Sequence, residues 1–231
     1  TNPIIKVTCG EEHTLVLDNL GNLFSTGSND HGQLGLGVTS NYVPNFTQID
    51  FPEKIIDMGA GARHSLAVGE SGALYVFGIN NFPGSTHLNY RSPIVIPFHE
   101  EIVNVSIGDF NSLMVGKSGK VYAFGLNKYG ALGLGEIQRT TAITEVPLPE
   151  PFDVDDKIVS ASCGGSHVTV VTEFGNLYAS GRNYHGALGL GDRNDRHTLT
   201  HVITEEPIIH VSTGSSYSLA LGQSGHIYVC G

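Results

Sequence analysis

Gly10-Glu11-Glu12-His13-Thr14-Leu15, then Gly21-Asn22-Leu23-Phe24, then Gly27-Ser28-Asn29-Asp30-His31-Gly32-Gln33-Leu34-Gly35-Leu36-Gly37 is the first copy of a unit that this chain repeats. The first glycine recurs as Gly61, Gly108, Gly164 and Gly214, the second as Gly72, Gly119, Gly175 and Gly225, the third as Gly78, Gly125, Gly181 and Gly231. Within every unit the spacings are 11 and then 6, whereas the steps between units are 51, 47, 56 and 50. All length variation therefore lies between the third glycine of one unit and the first of the next. A rigid module alternates with a tolerant connection, as surface loops permit.

The module reads as β. Apolar runs at Thr14 to Leu17, Leu66 to Val68, Leu113 to Val115, Val168 to Val171 and Leu219 to Leu221 are each followed by a turn cluster and a second run. The second glycine ends each cluster, where a short hairpin needs a positive φ that β-branched residues resist. A further strand precedes each first glycine (Ile4 to Thr8 in the first unit), and a weaker one falls in the connection, as at Phe46 to Ile49. Apolar positions three and four apart over ten residues are missing, so no helix is expected. Four short strands per unit of about 50 residues is the arithmetic of a propeller blade. Units of about 1–50, 51–101, 102–157, 158–207 and 208–231 make one repeat array. Kelch and WD40 repeats fit less well, since the chain has no Trp and only one Gly-Gly pair, Gly164-Gly165.

Composition narrows the function classes. Of 231 residues 30 are Gly, and the fifteen anchor glycines supply half of them. The net charge is −10, with no basic run to displace counterions from phosphates, so direct nucleic-acid binding is disfavoured. No apolar run reaches membrane-span length. Three cysteines (Cys9, Cys163, Cys230) do not make a disulfide framework and point to reduced thiols and an intracellular protein, cytoplasmic or nuclear.

The pattern Gly-x-x-His, Gly-x-Leu/Val-Tyr-x-x-Gly, Asn-x-x-Gly-x-Leu-Gly-x-Gly resembles the regulator of chromosome condensation repeat over nearly the whole chain. Units one and four match most fully; unit three has Asn111 in place of His, and unit two lacks the Leu-Gly-x-Gly tail after Gly84. The resemblance implies an all-β, seven-bladed propeller. With unit five stopping at Gly231, the expectation is about four full four-stranded blades plus part of a fifth, a fragment of a seven-bladed ring, with a divergent smaller propeller as the alternative.

Equivalent positions of a propeller share one face, so the Gly-x-x-His turns are the first candidate site. The resemblance implies that acidic residues and histidines here engage a small GTPase in nucleotide-exchange members. That carries over Glu11, Glu12 and Asp109 as acidic contacts with His13, His64 and His167 as their partners, and Arg63 and Phe110 of the same turns join them as candidate partner contacts. Blade-to-blade hydrogen bonding is the weightier reading of the histidines, because buried imidazoles need partners. A second candidate ring is the variable loop position bearing His31, Asn81-Phe82, Tyr129, Tyr184 and His185, suited to protein recognition.

Other chemistry is set aside. The pairs Cys9/His13 and Cys163/His167 have zinc-like spacing but belong to different units. The Gly32-x-x-Gly35-x-Gly37 tail has the wrong order for a phosphate loop and no helix behind it; it reads as a tight loop between blades, bracketed by Asn29, Asn80, Asn127 and Asn183. The stretch from Pro147 to Asp156 reads equally as a solvated loop and as an acidic contact for a basic partner. No catalytic constellation, cofactor or metal site is expected, and without Trp the family's light-sensing role is excluded. The expected function is a non-enzymatic propeller that binds another protein. Nucleotide exchange on a small GTPase, or service as the substrate-binding propeller of a ubiquitin-ligase-type protein, is the alternative.

Overall fold

A computed structural model describes residues 2–79, 89–153 and 155–231. The described strands follow the repeats. The first repeat forms β1 (Ile4–Cys9), β2 (His13–Asp18), β3 (Leu23–Ser28) and β4 (Tyr42–Gln48). The second forms β5 (Ile55–Ala60), β6 (His64–Gly69), β7 (Leu74–Ile79) and β8 (Asn89–Ile96). The third supplies β9 (Ile102–Ile107), β10 (Asn111–Gly116), β11 (Val121–Leu126) and β12 (Arg139–Glu145). The fourth supplies β13 (Ile158–Cys163), β14 (His167–Thr172), β15 (Leu177–Gly181) and β16 (Arg196–Val202). The fifth supplies β17 (Ile208–Thr213), β18 (Ser218–Gly222) and β19 (Ile227–Cys230). The only described helical turn is a 3-10 turn at Lys128–Gly130.

The chain forms two compact units, 1–109 and 110–231. In the first, β1-β2-β3-β4 and β5-β6-β7-β8 are antiparallel sheets with neighbours in chain order, and β9 follows them. In the second, β10, β11 and β12 pair antiparallel, followed by the sheets β13-β14-β15-β16 and β17-β18-β19.

The expected four blades and a remnant cut from a seven-bladed ring are thus corrected: there are five blades, and the fifth is a sheet in its own right. Its strands pair from Ile208 to Cys230, and Ile208, Val211 and Ala220 are buried against the fourth. The expectation counted the fifth unit as a partial blade because it stops at Gly231, yet three strands pair there. Every sheet-forming residue of the fifth repeat precedes Gly231.

The cores lie between successive sheets. Leu15, Leu17 and Leu23 of the first repeat meet Ile55, Met58 and Tyr75 of the second. In the second unit, Leu113, Val115 and Val121 meet Ile158, Ala161 and Val170. One column shows what burial depends on: Val7 on β1 is 57% exposed, whereas Met58 on β5, over which the first sheet packs, is 1% exposed.

The glycine columns answer to different constraints. Gly21, at the hairpin, has φ of +83°, and Gly27 has +111°. Gly10 needs no unusual φ; a Cβ there would strike the carbonyl oxygen of Gly61 and the His13 ring. The repeats approach each other at backbone distance there, so the residue type follows from space.

Candidate protein-recognition site

The signature histidines belong to the frame. His13 is buried, and its Nε2 lies 2.9 Å from Ser65 Oγ in the next repeat. That hydroxyl donates its own hydrogen to the Gln33 carbonyl at 2.8 Å. The imidazole therefore carries its hydrogen on Nε2 and donates to Oγ. The fourth and fifth repeats do the same: His167 Nε2 lies 2.8 Å from Ser218 Oγ, which donates to the Ala187 carbonyl at 2.8 Å. Burial pulls the pKa of His13, His64 and His167 down to about 4, with the charge of His13 adding to the effect at His64. These rings are neutral hydrogen-bonding groups at neutral pH.

The third repeat departs from this pattern. Asn111 is buried, and neither polar atom of its side chain has a hydrogen-bond partner among the described residues. The residue after the signature position is Ser65, Ser112 and Ser218 in repeats two, three and five but Val168 in repeat four.

The residues flanking the histidines face outward. In the first unit Glu11, Glu12, Arg63 and Asp109 are exposed, and Arg63 Nε stands 4.0 Å from Glu11 Oε2 with both side chains well solvated. In the second unit Phe110 is 57% exposed. Tyr217, at the histidine position of the fifth repeat, is exposed as well. The turns of the first three repeats thus combine a buried signature residue with exposed neighbours that vary between repeats.

The Asn-headed loops form as expected wherever they are described. Asn29 Oδ1 accepts from Leu34 N at 3.2 Å and its Nδ2 donates to Ser40 O at 3.0 Å. Asn127 and Asn183 hold Leu132 and Leu188 in the same way. The loops of the first and third repeats fasten to the next repeat: Gly37 N donates to Arg91 O on β8, and Gly135 N donates to His197 O on β16. Asn80, Asn81, Phe82, Gly84 and His87 lie outside the described residues.

At the loop tips, His31 is half-buried beside Gln33, whose Oε1 accepts from the His31 backbone N–H. Tyr129, Tyr184 and His185 gather in the second unit with Lys128, which shares their variable loop position, and with Arg182, which the sequence reading passed over. Lys128 Nζ stands 4.9 Å from the Tyr129 ring centre, and the Arg182 guanidinium 4.9 Å from the Tyr129 ring and 5.8 Å from that of Tyr184. Tyr184 and His185 meet edge-on at 4.9 Å. Tyr129 is the one described non-glycine residue with positive φ, 61°. The signal for Arg182 was present: the residue after the third glycine is Ser28, Ile79 or Leu126 in other repeats and a cation only here.

The acidic stretch before β13 is less solvated than one of its two readings held. Asp156 is buried and accepts hydrogen bonds from Phe174 N at 2.9 Å and Asn176 Nδ2 at 2.7 Å. Phe152 packs 5.7 Å from Tyr178. Val154 lies outside the described residues. Carboxylates brace hairpins elsewhere too: Glu53 accepts from Ser71 and Tyr75, and Glu206 from Ser224. Part of the acid surplus is therefore structural. Among the described residues no cluster of three His, Cys, Asp or Glu side chains is placed to hold a metal, and no helix is long and apolar enough to cross a membrane.

The arrangement has recognisable relatives. Mouse X-linked retinitis pigmentosa GTPase regulator is 34% identical over 96% of this chain and 23% of its own length. The ultraviolet-B receptor UVR8 of Arabidopsis thaliana is 32% identical over 84% of this chain and 44% of its own length. The chain thus spans less than half of either relative. Among solved structures, human WBSCR16 superposes with a TM-score of 0.86 at 23% identity, covering 96% of this chain and 58% of that one. Prp20p of Saccharomyces cerevisiae gives 0.65 at 21%, covering 98% and 71%. These two likenesses concern the fold alone. The family profile described as RCC1-like domain matches residues 1–231, and with inter-repeat histidines, Asn-headed loops and one sheet per repeat already in place, the chain belongs to the RCC1-like domain family.

Proposed function

We propose that this chain is a non-enzymatic, protein-binding propeller module whose partner contacts are the variable turn and loop residues. The carrying observation is the division of labour at these turns: buried His13, His64 and His167 serve the frame, while Glu11, Glu12, Arg63, Asp109 and Phe110 project from it. His31, Tyr129, Tyr184 and His185 supply a second, aromatic set at the loop tips. Aromatic and arginine side chains on a rigid support are the residue types that dominate protein interfaces. The histidines themselves act as positioning residues for the turns. The test is a photo-crosslinking residue placed at Tyr184, at Phe110 and, as a control, at Lys120, in the whole protein. Defined protein adducts at the first two positions and not the third support the reading; equal labelling at all three overturns it.

Nucleotide exchange on a small GTPase is the second reading. Exposed Glu11, Glu12 and Asp109 favour it, since they remain available to a cationic partner surface. Exchange needs only unequal affinity for the states of the GTPase, so the lack of a catalytic triad is no obstacle. Nucleotide release from a panel of small GTPases tests it, and release no faster than the spontaneous rate excludes it. Service as the substrate-recognition propeller of a ubiquitin-ligase-type protein is a special case of protein binding. It would place the captured adducts among that protein's substrates.

A further inference from the structure

We infer that the loop tips of the third and fourth repeats bind an acidic protein segment, with Arg182 as the carboxylate anchor. This deepens the protein-binding reading and rests on it. The net charge of −10 makes a local cationic surface the exception on this chain, and Lys128 and Arg182 form one. Both side chains are exposed, and neither has a carboxylate partner within ion-pair distance among the described residues. What holds them is aromatic: Lys128 and Arg182 both lie over Tyr129, and Arg182 also approaches Tyr184. A guanidinium stacked by its face keeps its in-plane N–H groups free, and that fork matches a carboxylate. Stacking also restricts the side chain before binding, which lowers the entropy lost on docking.

The backbone supports the same reading. At the equivalent loop position His31 and His185 keep ordinary negative φ, whereas Tyr129 is turned to φ 61°, ψ 16°. For a residue with a Cβ this left-handed conformation is strained. In it the Tyr129 ring stands 4.9 Å from both the Lys128 ammonium and the Arg182 guanidinium. Tyr184, 62% exposed, offers the apolar surface over which the stems of Asp and Glu side chains can lie.

A fluorescein-labelled Asp/Glu-rich peptide, titrated into the whole protein and followed by anisotropy, tests this. Binding should weaken with added salt. It should fall about tenfold in Arg182→Ala and several-fold in Tyr184→Ala, with melting temperatures unchanged because both side chains are exposed. Lys120→Ala, which removes the same charge elsewhere, should bind as the parent does. Equal loss in Arg182→Ala and Lys120→Ala overturns the site, and so does an oligonucleotide of matched charge that binds as tightly as the peptide. Absence of peptide binding while crosslinks at Tyr184 persist overturns the acidic partner and leaves the protein-binding reading standing.

Discussion

Two places in the second unit carry the same turn with opposite outcomes. At His167 the ring donates to Ser218, the serine donates to the Ala187 carbonyl, and each step is a normal hydrogen bond of 2.8 Å. At Asn111 the side chain is buried to the same degree, yet both of its polar atoms lack a partner among the described residues. The difference follows from two positions changing together. Asn is shorter than His, and the serine that follows the signature in the next repeat is replaced by Val168. A buried bond and its absence thus stand on one scaffold, which makes the turn a native control for its own energetics.

The largest expected effect comes from breaking the intact case. His167→Ala removes a buried ring and leaves Ser218 Oγ without its donor. The loss should be about 3 kcal/mol in urea unfolding, from cavity formation plus a lost buried hydrogen bond. Asn111→Ala should cost far less and can be neutral, because it removes two unsatisfied polar atoms along with its volume. Equal losses in the two variants would mean that the serine relay contributes nothing.

Acid separates the two sites next. A histidine whose folded pKa is about 4 and unfolded value about 6.5 binds more protons when unfolded, so stability is full above the unfolded value and falls as pH drops toward 4. Each of the three rings should cost about 2 kcal/mol by roughly pH 5. Asn111 carries no such dependence. Replacing His167 by Asn should flatten the stability profile between about pH 6.5 and 4 by one histidine's share, measured by thermal unfolding across that range. A slope unchanged by the replacement would show that His167 titrates normally.

The smallest effect is constructive. Asn111→His together with Val168→Ser rebuilds the relay, and the double variant should exceed the sum of the singles by about 1 kcal/mol in a double-mutant cycle. Additive behaviour would mean that the third turn is shaped by something other than this pair.

Much of the fold was legible because the glycines report backbone demands. Gly21 and its counterparts mark hairpins, and every strand expected beside them formed, extended by one or two residues into the signature turn. The histidines were legible as structural groups, but their serine partners were not singled out. Ser65 and Ser218 follow the signature in sequence, while the rings they serve, His13 and His167, lie 52 and 51 residues earlier. Pairing at that range is fixed by sheet-on-sheet packing, which no local pattern records. The Arg182–Tyr129 contact was hidden for the same reason, with 53 positions between its members. The blade count went astray at the fifth repeat because that unit was judged by its length, whereas the three strands that pair into its sheet all lie before its third glycine.

That fastening has a direction. His13 reaches Ser65, His167 reaches Ser218, and Gly37 and Gly135 donate to strands of the repeat that comes after their own. On a ribosome the chain emerges from its first residue onward. The first and fourth repeats therefore each hold an unsatisfied imidazole, and the first and third an undocked loop, until about fifty more residues have been made, which takes about 3–10 s at elongation rates of about 5–20 residues per second. During synthesis each of these repeats stays incomplete, and its completion is supplied by the one still being translated.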